Sequence, residues 1–535
     1  MNLNKTILII ILSFSTLYAQ DIGVTKVEIL QEFKPEIPDV NRLNENAVFA
    51  DTLKQDRVLT YNAINTVFST NFKTKPLVAA EVKMDKIDEL LSTKVYFGLG
   101  NLWLKKANFV LNSKRSNSFS YGLISNHFSN KYSANKNSDN NIKIFAKKIS
   151  KNFVIMSSLN YDRKTNLYKN GDKLLNEDFY RNRFAYSKLS IDAFRNNNNN
   201  KSLLSSFNFL ISDFNEMSEN QIHFSALLNK RIKNQFYNLD ISFDNYLNYN
   251  NSNSRFQSLD YKIVSFLPST VFKIKGFNLY LSADLDLLLN DKRIELYPEF
   301  KLCKELVENV LYIDAGLRHI KKRNTYKSLT EQNPFVHSFG TNQSIFMQNY
   351  FLQELNNSDT YEVYFFLKNK LSSNETLQFE SSYGNISEFS QFTLFDNRHY
   401  ERFKVDYLRS VSQLYFSASY EYLINRILTL KSNLNYSSWN KDILNKPKLQ
   451  FDLSIPVNLR SKIMIIPAFS YQGKRMSIRG DLPSQFHANL GINYLYSRQL
   501  TGYLELNNIT NSKKDIFFGY QEVGFNGVFG VSFSF

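Results

Sequence analysis

The chain has 535 residues, a formal net charge of +16 and a single cysteine, Cys303. One thiol excludes an internal disulfide framework and any zinc site built from several thiolates. Aromatic residues make up 15% of the chain against only 17 Gly and 10 Pro, which is too aromatic for disorder and too poor in Gly and Pro for collagen or a low-complexity linker.

Residues 1–19 read as a secretory signal peptide. Lys5 sits in a short basic region, an apolar run spans Ile7 to Leu12, and Ala19 offers a small residue before Gln20. That run is far short of the about 20 apolar residues a spanning helix needs. No cysteine follows the cut, so a lipid anchor is not expected. Export turns the positive charge away from nucleic acid and toward loops and membrane lipids. Residues 20–93 form a second region. It holds Pro35, Pro38 and Pro76 and ends in a helix-like stretch, Val78 to Leu91, where Val82, Ile87 and Leu90 lie among charged residues. A short periplasmic or plug-like segment is expected there.

From Lys94 to the end the texture is period-two alternation. Leu279, Leu281, Ala283, Leu285 and Leu287 alternate with Tyr280, Ser282, Asp284 and Asp286. Leu449, Phe451, Leu453, Ile455 and Val457 do the same around Asp452, and Phe486 to Tyr494 repeats the pattern. Phe529, Val531, Phe533 and Phe535 alternate with Gly530, Ser532 and Ser534. Each such strand has one apolar and one polar face. A soluble sandwich would bury the apolar face on a second sheet, whereas a membrane barrel turns it to lipid. No linker breaks residues 94–535, and the alternating segments have about the 9–11 residues a tilted strand needs to cross a bilayer. Charged residues such as Glu505 and Asp452 fall on the polar face, as a wet interior allows. The fold expected is therefore all-β: a transmembrane antiparallel barrel of roughly 18–22 strands over residues 94–535, with the short N-terminal segment before it. Thr325 to Asn349 is expected to be a long surface loop.

The C-terminus carries a family resemblance. Leu504-Glu505-Leu506-Asn507-Asn508-Ile509-Thr510-Asn511, then Phe518-Gly519-Tyr520, Gly524-Phe525-Asn526 and the closing Gly530 to Phe535, resemble the end of TonB-dependent receptor barrels. Phe33-Lys34-Pro35-Glu36-Ile37-Pro38-Asp39 looks like the opening of receptor-like barrels that lack a full plug. The resemblance implies a Gram-negative outer-membrane location and solute passage or uptake, the alternative being a structural or assembly barrel in an outer-membrane complex. It also implies a terminal aromatic signal, Phe533 and Phe535, read by the barrel assembly machinery. TonB and a surface lipoprotein are the further partners it suggests, beside the lipids themselves. The family has a plug of well over a hundred residues, and residues 20–93 depart from that. A coupling segment is sought in Val24, Thr25, Val27 and Ile29.

No enzyme, cofactor or metal site is expected. The six histidines, His127, His223, His319, His337, His399 and His487, have no ligand spacing, and no G-x-S-x-G elbow is present. Arg479-Gly480-Asp481 is a chance-level tripeptide. Lys230-Arg231 with Lys233, Lys321-Lys322-Arg323 and Lys513-Lys514 read first as solvated loop charge, and second as contacts to lipid phosphates. A barrel of this size needs its lumen filled or it conducts, and the helix-like 78–91 stretch with the Pro35–Pro38 segment is the expected filling.

Overall fold

The computed structural model describes residues 91–535 apart from 115, 133–134, 169–180, 197–202, 216–218, 234, 249–260, 291, 337–354 and 395–402. The signal peptide, the candidate coupling residues Val24, Thr25, Val27 and Ile29, and the expected lumen filling lie outside the described residues, save Leu91 at the end of the helix-like stretch.

Alternation becomes strand after strand. The first eight are β1 (Thr93–Gly100), β2 (Lys105–Asn112), β3 (Phe119–Tyr132), β4 (Asn135–Ile149), β5 (Phe153–Leu167), β6 (Arg181–Arg195), β7 (Leu204–Phe214) and β8 (Glu219–Ile232). Then come β9 (Gln235–Asn248), β10 (Tyr261–Ile274), β11 (Phe277–Leu288), β12 (Arg293–Val307), β13 (Leu311–Ile320), a helix α1 (Tyr326–Gln332), β14 (Thr360–Ser372), β15 (Glu375–Leu394) and β16 (Phe403–Leu423). The last are β17 (Thr429–Trp439), β18 (Leu449–Ser454), β19 (Val457–Leu459), β20 (Ile463–Gln472), β21 (Gln485–Leu495), β22 (Leu500–Asn507), β23 (Asp515–Phe517), β24 (Tyr520–Gln521) and β25 (Asn526–Ser534). All but the small β23–β24 hairpin belong to one sheet. β18 and β19 both pair with β20 and share one place, broken at Ile455-Pro456 because proline has no N–H for the ladder. The sheet is thus a closed antiparallel barrel of 22 staves. Each stave pairs with its chain neighbour, and β25 returns to β1 from Lys94↔Ser534 to Gly100↔Val528. Strand lengths depart from the 9–11 residues expected: β15 and β16 run to 20 and 21 residues, well past a bilayer's thickness, while β1 and β22 have 8.

Side chains sort as the pleat demands. On β12, Ile294 and Leu296 are 68% and 62% exposed on the outer wall, with Phe300 and Leu302 below them. Glu295, Tyr297, Glu299 and Lys301 point the other way, as does the buried Cys303. The outer belt is hydrocarbon that water would penalise and lipid does not. Among the described residues no helix is long and apolar enough to cross a membrane; the strands do the crossing. At the seam, Tyr96 of β1 meets Tyr503 edge-on at 5.3 Å and lies over Gly530 of β25. A Cβ at Gly530 would sit 2.6 Å from the Tyr96 hydroxyl oxygen, so only glycine lets the ring cover the joint.

The connections are unequal. The end that carries the chain terminus Phe535 has tight turns such as Lys275-Gly276 and Ser373-Asn374. The other end carries the long connections, among them 321–359, 473–484 and 508–525. Outer-membrane barrels keep short turns toward the periplasm and long loops outside.

Candidate functional site

The connection from β13 to β14 was expected to lie on the surface. Instead its described first part, Lys321 to Val336, is almost wholly buried inside the long-loop end of the barrel. Its sequence explains the local shape. Thr325 caps α1 by accepting from Ser328 N at 3.1 Å, and Ser328 Oγ accepts from Thr325 N at 3.0 Å, a reciprocal capping box. No acidic residue occupies the first turn. The barrel wall provides one: the Glu219 carboxylate on β8 accepts from Tyr326 N at 2.8 Å and Lys327 N at 3.4 Å, where the helix dipole favours negative charge. Asn333, fully buried, ends the helix, and its Oδ1 accepts from Phe335 N at 2.9 Å. Asn182 of β6 then donates from Nδ2 to Pro334 O at 2.8 Å and Val336 O at 3.0 Å.

A lid results. Phe335 stacks on Tyr520 of β24 at 3.6 Å, and Tyr168, from the connection after β5, packs against both rings. Phe392 of β15 and Phe403 of β16 complete the cluster with Phe517 of β23. The staves that contribute Tyr168 and those that contribute Phe392 and Phe403 occupy nearly opposite places on the ring of 22. Contact between them means that the lid reaches across the lumen. Arg475, in the connection after β20, clamps the β23–β24 hairpin by donating to Ile516 O at 2.7 Å and Asp515 O at 2.9 Å. Burial lowers the pKa of its guanidinium, against the pull of Glu522 and Asp515.

Beneath the aromatic layer lies a charged one. Lys321 and Arg323 have the composition of solvated loop charge, yet wall carboxylates hold them inside the barrel, where they are 8% and 3% exposed. Lys321 Nζ sits 2.5 Å from both Asp284 Oδ2 and Asp286 Oδ1 of β11. Arg323 Nη1 approaches Asp244 Oδ2 of β9 at 4.0 Å and its guanidinium faces the Tyr261 ring. Burial works against the Arg323 charge, but Asp244, Tyr246 and Tyr261 hold its pKa above the usual value. Two of the six histidines, far apart in sequence, join this layer: His223 Nδ1 lies 2.8 Å from Asp244 Oδ1, and His319 stacks on Tyr297 at 3.5 Å with Asp284 Oδ2 3.8 Å away. Among the described residues no group of His, Cys, Asp and Glu is arranged to hold a metal ion. The loop cations neutralise wall carboxylates, so the charged layer fastens the lid.

Asp359, at the other end of the same connection, has its carboxyl pushed up to about 6, chiefly by burial. Glu295 adds to the shift, and His319, Arg323 and Lys321 oppose it. In water a carboxyl titrates near 3.9, so the closed lid binds this proton more tightly than an open one would. Closure is therefore favoured as pH falls from about 6 to about 4, and the carboxylate charge works against it above about 6. The opening frequency in planar bilayers should be lower at pH of about 4 than of about 7. Asp359→Asn should remove most of that dependence, and an unchanged profile would take Asp359 out of the closure.

Of the other residues marked in the sequence, Phe533 and Phe535 lie exposed on the outer face at the end of the last strand. Lys513-Lys514 and Arg479-Gly480-Asp481 fall in long connections, and Lys230-Arg231 with Lys233 at a short turn.

No protein-family model matches the chain, and no curated protein matches it in sequence. Solved structures do match in fold. A variant of the ferric enterobactin receptor PfeA of Pseudomonas aeruginosa aligns at 11% identity over 83% of this chain and 80% of its own, with a TM-score of 0.60. The siderophore receptor PirA of Acinetobacter baumannii aligns at 10% identity over 84% and 81%, with a TM-score of 0.62. The copper transporter OprC aligns at 11% identity over 84% and 81%, with a TM-score of 0.59. The fold is that of TonB-dependent receptor barrels. With its lipid-facing belt it places the chain in the Gram-negative outer membrane.

Proposed function

We propose that the chain takes up a solute across the outer membrane, through a barrel whose outer mouth is shut by the inward-folded lid and opens when the lid is displaced. The observation that carries this is the meeting of Tyr168, Phe335, Phe392 and Tyr520 from distant staves in one aromatic cluster. A purely structural barrel has no use for closure by loop segments held through ion pairs. The solutes named for the similar structures belong to those proteins; here the class of reaction is passage, with no chemistry performed on the solute. Excising Lys322 to Val336 in favour of a Gly-Ser linker should turn a closed barrel into one that conducts potassium chloride. A barrel that folds and still passes no current would assign closure to residues 20–93 and not to the lid.

Residues 1–19 would be removed on export and residues 20–93 would act as a reduced plug or periplasmic arm. In this reading Val24, Thr25, Val27 and Ile29 add a strand to a TonB-type partner, which supplies the energy to move the lid or plug. Phe533 and Phe535 serve the barrel assembly machinery, and a surface lipoprotein would sit over the long loops. Val27→Pro removes an N–H and fixes φ, so it should abolish cross-linking to the periplasmic partner while leaving the barrel folded. Undiminished cross-linking would remove this segment from the coupling role.

A further inference from the structure

We infer that the lipid-facing wall from β8 to β11 holds a binding site for one diacyl phospholipid with an anionic headgroup, taken from the leaflet beside the short turns. The site begins with Pro268 in the middle of β10. The β10–β11 ladder runs from Ile263 to Phe266 and from Ser269 to Ile274, and skips Leu267 and Pro268 between them. The outward residues at this gap, Pro268, Thr270 and Ala283, are small, and they are flanked by the larger Leu228, Leu239 and Leu281. The result is a groove of about 610 Å³ in the outer wall, with mostly hydrocarbon sides. That volume is in the range of roughly 300–1,000 Å³ typical of ligand sites. A flat barrel wall gives lipid chains only transient contact, whereas a dent of this size encloses one.

Charge selects the headgroup. Lys230 lines the groove at its short-turn side, and Lys233 and Lys275 stand exposed on the adjoining turns. Lys304 of β12 reaches the same turn, with Nζ 4.5 Å from the centre of the Phe277 ring. Among the described residues no ion pair takes up Lys230, Lys233, Lys275 or Lys304. Long cationic side chains at an interface lay their stems on hydrocarbon and present their ammonium groups at headgroup level. An enclosed acyl chain under a lysine rim fits a phospholipid whose phosphate and net negative charge lie at that level. The orientation excludes the sugar-rich outer leaflet, which meets the long-loop end.

Native mass spectrometry of the full chain in detergent, with equimolar phosphatidylglycerol and phosphatidylethanolamine of identical acyl chains, tests this. One phosphatidylglycerol should remain bound in preference. Each lysine neutralised among Lys230→Gln, Lys233→Gln, Lys275→Gln and Lys304→Gln should lower the preference about fivefold, from about 1 kcal/mol per charge at 1.4 kcal/mol per tenfold. Ala283→Phe, which fills the groove and keeps every charge, should lose the retained lipid. Lys147→Gln, Lys148→Gln and Lys151→Gln, at a basic turn outside the groove, should leave it bound. Faster migration of unheated samples in detergent gels checks that each variant is folded. Equal retention of the two lipids, retention by the quadruple variant or by Ala283→Phe, or equal loss in the Lys147–Lys151 control would overturn the inference.

Discussion

Replacing Lys321 by methionine is expected to unfasten the lid at a cost of about 3–5 kcal/mol, the usual range when one partner of a buried ion pair is removed. The ammonium is shared by Asp284 and Asp286, both themselves buried. Methionine fills nearly the same volume but leaves two carboxylates facing each other without a cation. The simplest escape is for the connection to swing out and admit water. Frequent conductance openings in planar bilayers should follow, with the heat-modified migration of the barrel itself retained. Adding Asp284→Asn and Asp286→Asn should restore much of the closure, because neutral amides need no counter-charge. If Lys321→Met alone left the barrel silent, the ion cluster would be a feature of the wall and the lid would be held elsewhere.

The second large effect is expected in the aromatic layer. Phe335 is buried between Tyr520, Phe517 and Tyr168. Phe335→Ala should weaken the lid by about 3–5 kcal/mol, the range for deleting a buried phenyl ring. At 1.4 kcal/mol per tenfold, a loss of about 3 kcal/mol raises the open population on the order of 100-fold. Tyr520→Ala should act in the same direction. The double variant should fall short of the sum by roughly 0.5–1.5 kcal/mol, since the two rings share one stacking contact. Strict additivity would mean that the two rings close the mouth independently, and wild-type conductance in both variants would remove the aromatic layer from the gate.

The wall of this barrel is legible residue by residue, because its signal is local. Any reader of Ile294 to Leu302 or Phe529 to Phe535 can assign the lipid face from the period of two. The receptor-like ending, Leu504 to Phe535, is legible for the same reason: its spacing is contained in one stretch of chain. The lid is not. Lys321 and Arg323 have the composition of a solvated turn, and what makes them interior residues is Asp284, Asp286 and Asp244, which lie on β11 and β9. Only strand register brings those carboxylates under the loop. Glu219 is hidden likewise, since a carboxylate on β8 capping a helix between β13 and β14 leaves no mark at either position. One weak signal was present. Thr325 with Ser328 is a helix start, and an apolar Leu329 with Phe335 and Val336 beyond it would be wasted on an exposed loop.

The glycine at position 530 also bears on how the ring comes together in time. Every other joint in the barrel unites neighbours in sequence, so hairpins form over short stretches with small losses of chain entropy. The joint under Tyr96 unites Thr93 with Phe535, across the entire described chain. It is the joint with the greatest contact order and should be the last to close. Until then β1 and β25 stand as two open sheet edges with unpaired backbone groups, the condition that invites pairing with other chains. Both edges are short, 8 and 9 residues, and each presents alternating apolar side chains to the membrane, Val95, Phe97 and Leu99 on one and Phe529, Val531 and Phe533 on the other. A nascent barrel of this kind is most vulnerable at the end of its folding, and the residues that end that interval are a tyrosine and the glycine that makes room for it.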